Sequence, residues 1–215
     1  MLDVEVITMT RIGIIIGSTR PERVGGTVGR WVADTVRRLG TDAIDLIDLA
    51  AVGLPFLDEP SEASTGVYVH EHTRAWARRI DALDAVVIVT AEYNGSFPAP
   101  LKNALDFLGP EWADLPAAIV AYGNTSSGSR AATALLPVLS GLAMVHAGSL
   151  LLGLRERRTD AGLTLMQRDE EMLGSLIDRL RRLTHARESR RTELPADRVL
   201  SAAGRRTDIA VGAVK

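Results

Sequence analysis

The apolar run "RIGIIIG" at Arg11–Gly17 ends in Ser18, Thr19 and Arg20, with Arg23, Gly25, Gly26 and Thr27 close behind. Hydroxyls and guanidiniums on a glycine-bounded loop, leading into a helix near Thr27, are the donors of an anion site, most simply for a phosphate. The spacing matches neither common phosphate motif. No Lys-Ser or Lys-Thr pair follows the glycines, and Gly17, Gly25 and Gly26 do not fit G-x-G-x-x-G. On local chemistry alone, a polar strand-to-helix turn with solvated arginines is the competing reading.

Two further stretches carry similar chemistry. In "AEYNGSFPAPLKNALD", from Ala91, the Asn94-Gly95 pair is a turn dipeptide that exposes backbone N–H and C=O groups. Pro98 and Pro100 stiffen the exit into a helix. Tyr93 and Phe97 add flat apolar surface in a chain with only 4% aromatics, so the loop suits a planar heterocycle. In "YGNTSSGSRAA", from Tyr122, Gly123 and Gly128 bracket the hydroxyls of Thr125, Ser126 and Ser127, where small residues let backbone approach a ligand.

The elements that must position these loops are legible as apolar runs. Arg11–Gly17, Asp84–Thr90, Pro116–Gly123 and Met144–Leu152 read as buried strands, and Ala43–Leu49, which alternates apolar and acidic residues, reads as an edge strand. Helical stretches are expected at Thr27–Leu39, Tyr68–Leu83, Pro100–Leu108, Ser129–Leu142 and Arg168–Thr184. Strand–helix alternation of this kind predicts an α/β fold, a five-stranded doubly wound parallel sheet between two helical layers, with the flavodoxin-like order 2-1-3-4-5. In that architecture ligands sit beyond the carboxyl ends of the strands. The loops after the first, third and fourth strands then share one edge. Residues 1–10 read as an N-terminal extension, 11–185 as the domain, and 186–215 as a flexible or partner-contacting tail.

Composition narrows the chemistry. A net charge of −2 gives no argument for nucleic acid or a membrane surface as partner. With no cysteine, disulfides, thiolate metal sites and cysteine nucleophiles are excluded. The first residues lack the pattern of a signal peptide, and no run reaches the ~20 apolar residues of a spanning helix, so the expectation is a cytoplasmic protein. His70 and His72 invite a metal reading, but at i and i+2 of a helix they face different ways; solvated histidines are expected, and no metal site. Asp48 and Asp58 read as caps or surface carboxylates.

Taken together, "GSTRPERVG", "EYNGSFPAPLKNALDFL" and "YGNTSSGSRAA" closely resemble the NADPH-dependent FMN reductase family of flavodoxin-like proteins, over roughly Arg11 to Leu152. The resemblance implies that Ser18, Arg20, Arg23, Gly26 and Thr27 hold the FMN phosphate. It implies that Glu92, Tyr93, Asn94 and Gly95 line one side of the flavin, and Gly123, Ser126, Ser127 and Gly128 the other. The sequence departs from the family pattern at Ala91, where proline is usual, and at Asn124 and Ser127, which replace common glycines. The implied reaction passes hydride from NADPH or NADH through FMN to a small acceptor, such as free flavin, a quinone, an azo compound or a metal oxyanion. No side chain then acts as an acid–base catalyst. A homodimer or homotetramer is also implied, with the helices after the second and third strands as candidate contact surfaces.

Other readings attach to the same residues. A serine hydrolase would use Ser126 with Asp178 and His185, but "NTSSG" is not a nucleophile elbow. A non-enzymatic electron carrier of this fold is expected to be more acidic and richer in aromatics. An FMN-binding module without turnover is the third.

Overall fold

The three central apolar runs form strands because their side chains are buried on two faces at once, while the two outer runs are partly exposed at the sheet's edges. In the computed structural model, which describes residues 9–40, 42–159 and 162–193, they are β1 (Arg11–Ile16), β2 (Ala43–Asp48), β3 (Ala85–Ala91), β4 (Pro116–Gly123) and β5 (Val145–Gly153). All pair in parallel, in the order β2-β1-β3-β4-β5, with Ile14 of β1 between Leu46 of β2 and Val87 of β3. This is the doubly wound, flavodoxin-like order expected from the alternation of strands and helices.

Among the described residues six α-helices complete the layers: α1 (Gly25–Leu39), α2 (Leu49–Val52), α3 (Glu71–Asp81), α4 (Ala99–Asp106), α5 (Ser129–Gly141) and α6 (Gln167–Glu193). Alternate residues of β1 feed opposite layers. Ile12 and Ile14 pack with Val28, Val32 and Val36 of α1 and with Leu173 and Ile177 of α6. Ile15 packs with Trp76 of α3, Leu101 and Leu105 of α4, and Leu135 of α5. Burying each such side chain is worth roughly 1.5–3 kcal/mol. Gly13 is bare for a reason, since a Cβ there would stand 2.5 Å from Leu83 Cδ1.

The structure departs from the sequence reading at element ends. The third helix starts at Glu71 rather than Tyr68, because the Glu59 carboxylate accepts the N–H groups of Val69 and His70 at 2.8 and 3.0 Å and holds them extended. The last helix runs to Glu193, past the boundary read at Ala186, and residues 194–215 of the expected tail lie outside the described residues. So do residues 1–8 of the expected extension. A small ribbon, β6 (Arg158–Thr159) antiparallel to β7 (Gly162–Leu163), follows β5 and was not foreseen. No helix among the described residues is long and apolar enough to cross a membrane.

Candidate functional site

The loops that follow β1, β3 and β4 meet at one edge of the sheet. A cleft of about 100 Å³ is lined there by Arg20 and Val24, by Ala91, Glu92 and Tyr93, and by Tyr122, Gly123 and Asn124. Leu154 and Arg158, from the chain after β5, complete its rim. The meeting of three loops was expected from topology. The contribution from beyond β5 was not.

In the first loop, Gly17 N–H bonds back to the Val89 carbonyl at 2.9 Å, carrying the β1–β3 pairing one residue past the strand. Ser18 is fully buried, and its hydroxyl lies 2.6 Å from that of Tyr93. Arg20 is exposed, and its side chain makes no hydrogen bond or ion pair among the described residues. Arg23 is differently placed. Its guanidinium is bonded to the Asp48 carboxylate, while its Nε is buried without a partner. Asp48 is therefore a cap, as expected, since its other oxygen accepts Ala50 N–H at 3.0 Å at the start of α2. Gly26 is half-buried and Thr27 exposed on the first turn of α1.

The loop after β3 turns back on itself between Tyr93 and Ser96, whose backbones exchange bonds of 2.8 and 3.0 Å. The turn needs left-handed backbone at Asn94 (φ +50°) and Gly95 (φ +83°), conformations that asparagine and glycine tolerate best. It leaves Tyr93 exposed at the cleft and Asn94 exposed beside it in sequence.

The loop after β4 is welded to its neighbour by Glu92. Ser126 donates its hydroxyl to this carboxylate, 2.5 Å from Oε1. Arg130, on the first turn of α5, adds a bond from Nε at 2.8 Å and one from its backbone N–H at 3.2 Å. The Glu92 side chain is only 6% exposed. Burial pushes its carboxyl up, but the Ser126 and Arg130 donors outweigh that and hold it below the usual range. Gly123 permits the approach, since a Cβ would lie 3.0 Å from Gly128 N and 3.3 Å from Glu92 Cβ. Gly128 (φ +87°) is more constrained, because its Cβ would stand 2.5 Å from Tyr122 N. Ser127 takes the left-handed region as well, at φ +55°.

All the sequence-predicted site residues thus fall on the one edge, but they differ in what remains free. Arg20, Thr27, Tyr93 and Asn94 are exposed; of these Arg20 and Tyr93 line the cleft, and Thr27 lines a neighbouring one. Glu92 and Ser126 are spent on each other. Sequence reasoning missed Arg130, Leu154 and Arg158. Arg130 alone carried a signal, standing one helical turn after Ser126.

One alternative reading falls and one expectation is corrected. The hydrolase triad does not assemble: Ser126 serves Glu92, Asp178 pairs with Arg181 at 3.2 Å, and His185 pairs with Glu188 at 3.6 Å. His70 and His72 do not face apart. Because His70 precedes the helix in extended conformation, the two rings stack 5.2 Å apart, within 7° of parallel. Both are used by Asp58, His70 Nε2 bonding its carbonyl at 3.2 Å and His72 Nε2 its carboxylate at 2.9 Å. Among the described residues, no three histidine or carboxylate side chains come together as a metal site.

The fold and the loop edge define the class: a flavodoxin-like α/β protein with a candidate ligand site beyond the carboxyl ends of its strands. The family model of the NADPH-dependent FMN reductases matches residues 10–156, and the chain belongs to that family. An NAD(P)H-dependent FMN reductase of Schizosaccharomyces pombe is 41% identical over 120 residues, covering 55% of this chain and 60% of that one. One of Saccharomyces cerevisiae is 37% identical over 146 residues, covering 62% and 75%. The matched region is thus less than two thirds of the fission-yeast relative's length. Among solved structures, the flavoenzyme NAD(P)H:(acceptor) oxidoreductase of Paracoccus denitrificans superposes with a TM-score of 0.65 at 18% identity, covering 83% of this chain and 98% of that one. At that identity the likeness speaks for the fold.

Proposed function

We propose that this chain is an FMN-dependent oxidoreductase that takes hydride from NADPH or NADH and delivers it to a small acceptor. Free flavin, a quinone, an azo compound and a metal oxyanion all belong to the acceptor class. One observation carries the reading. The three loops converge on a single cleft that places the unpaired Arg20 guanidinium and the exposed Tyr93 ring on one lining, with Arg23 on the wall of the neighbouring cleft.

That donor set fits FMN. Ser18, Arg20, Arg23, Gly26 and Thr27 hold the phosphate, with the unpaired Arg20 guanidinium as the free charged donor that a dianion satisfies. The turn at Tyr93, Asn94 and Gly95 presents backbone and an aromatic face on one side of the ring. Gly123, Ser127 and Gly128 form the opposite wall, where small residues admit close approach. Glu92 and Ser126 fix the distance between the walls through their mutual bond. FMN, when bound, supplies the two-electron transfer that no side chain here can. The chain's own task is to orient it, leave one face open for alternating substrates, and exclude water from the rest.

A homodimer or homotetramer is part of the same reading. Its support is the apolar surface left bare before and beside α3, where Phe56 is 87% exposed and Leu57, Val67 and Val69 are exposed with it. The cytoplasm, which supplies reduced nicotinamide dinucleotides, is the assigned compartment. Adding FMN to the purified chain tests the proposal. A one-to-one complex with a shifted visible spectrum is expected, and free-FMN spectra throughout the titration would refute it.

A further inference from the structure

The chain that leaves β5 brings another cation to the phosphate loop, and it is held there by a buried ion pair. Arg157 is 4% exposed and Asp169 is 1% exposed. The guanidinium bonds the carboxylate at 2.8 and 2.6 Å and the Gly153 carbonyl at 2.8 Å. Asp169 also accepts Met166 N–H at 2.9 Å, and the Arg157 carbonyl accepts Thr164 N–H at 2.8 Å. A pair so buried costs much of its attraction in desolvation. What it gives in return is position, since it ties the end of β5, the base of the β6–β7 ribbon and the start of α6 to one point.

The residue so placed is the next one along. Arg158 is exposed, and its side chain makes no hydrogen bond or ion pair among the described residues. It lines the cleft where the three loops meet, and also a wider one of about 370 Å³ between the ribbon and the start of α1. Arg23, Thr27 and Thr159 line the wider cleft too, with Glu22 the one carboxylate on its wall among the described residues. Donors exceed acceptors on both sides of Arg158. A guanidinium in such a place matches the oxygens of a phosphate monoester better than any neutral group.

We propose that Arg158 is a phosphate-binding residue, which holds a ligand's phosphate monoester from the ribbon side while Arg20 and Arg23 hold the loop side. The inference rests on the flavin-reductase reading, whose ligands carry such a group in two places: the end of the FMN side chain and the 2′ position of NADPH.

Arg158→Gln in the full chain tests it, with Arg155→Gln as control. Arg155 is exposed, has no partner among the described residues and lines neither cleft, so the control removes the same charge. The dissociation constants of FMN and riboflavin are measured for each, then KM for NADPH and NADH. We expect Arg158→Gln to weaken one phosphorylated ligand by about tenfold or more, leaving its unphosphorylated counterpart unchanged. Loss of FMN affinity but not riboflavin affinity assigns the cofactor's phosphate. A raised KM for NADPH but not NADH assigns the donor's. Equal effects within both pairs, no effect, or the same effect from Arg155→Gln would overturn the proposal. Failure of the unmutated chain to bind either flavin would instead overturn the reading beneath it.

Discussion

The hydroxyls of Tyr93 and Ser18 lie 2.6 Å apart, a hydrogen bond that spans 75 residues and joins the loop after β3 to the loop after β1. Ser18 is fully buried, so this bond satisfies a hydroxyl that water cannot reach. The loop assigned to the phosphate and the loop assigned to the ring are therefore registered to each other before any ligand arrives. Tyr93→Phe keeps the aromatic face and removes the tie. A stability loss of about 1–2 kcal/mol is expected in urea unfolding, as for a buried polar group left without its partner. FMN affinity should fall by a few-fold only.

Arg20→Ala should behave in the opposite way. The side chain is exposed and bonds nothing among the described residues, so thermal unfolding should be unchanged. FMN binding should weaken by about 10- to 100-fold, the worth of a charged hydrogen bond to a phosphate. Fluorescence titration with FMN measures it. Riboflavin, which lacks the phosphate, should bind the variant and the parent equally.

Gly128→Ala tests the backbone under the site. The new Cβ would meet Tyr122 N at 2.5 Å, in a residue already at φ +87°. Backbone cannot give way as a flexible side chain can, and left-handed strain adds about 1 kcal/mol or more. A total loss of about 2–4 kcal/mol is expected, read as a lower unfolding midpoint in urea.

The Glu92 carboxylate gives the site a pH dependence whose sign follows from its environment. Its folded value lies below the ordinary 4.5, since Ser126 and Arg130 overcome the effect of burial. A carboxylate lowered on folding contributes stability that is present above its unfolded value and lost as pH falls through the folded one. Arg130→Ala removes one donor and moves the folded value upward. Acid unfolding of the variant should therefore begin at a higher pH than in the parent, with the difference between them shrinking as pH falls through the parent's folded value. Coincident acid transitions would mean that Arg130 does not hold Glu92.

How much of this was legible in the sequence depended on whether a residue's role is local. Ile12–Ile16, Val86–Val89 and Ala117–Ala121 could be read as central strands because burial on both faces demands unbroken apolar runs. The three loops could be read because glycine, hydroxyl and arginine residues cluster where those runs stop. Partnerships over distance left no such mark. Nothing near Arg23 announces Asp48, and nothing near Arg157 announces Asp169. The β6–β7 ribbon has two residues per strand, too few to show a period. The start of α3 was misplaced for the same reason, since Glu59, ten residues before Val69, fixes it. The stacking of His70 on His72 followed from that shift.

The most direct test of the central claim is anaerobic reduction of the FMN-loaded chain. On addition of NADPH or NADH, the visible flavin bands should bleach within one turnover, and a quinone or free flavin added afterwards should restore them. Bands that persist under excess reduced dinucleotide, with FMN shown to be bound, would contradict the assignment of this chain as a flavin-dependent oxidoreductase.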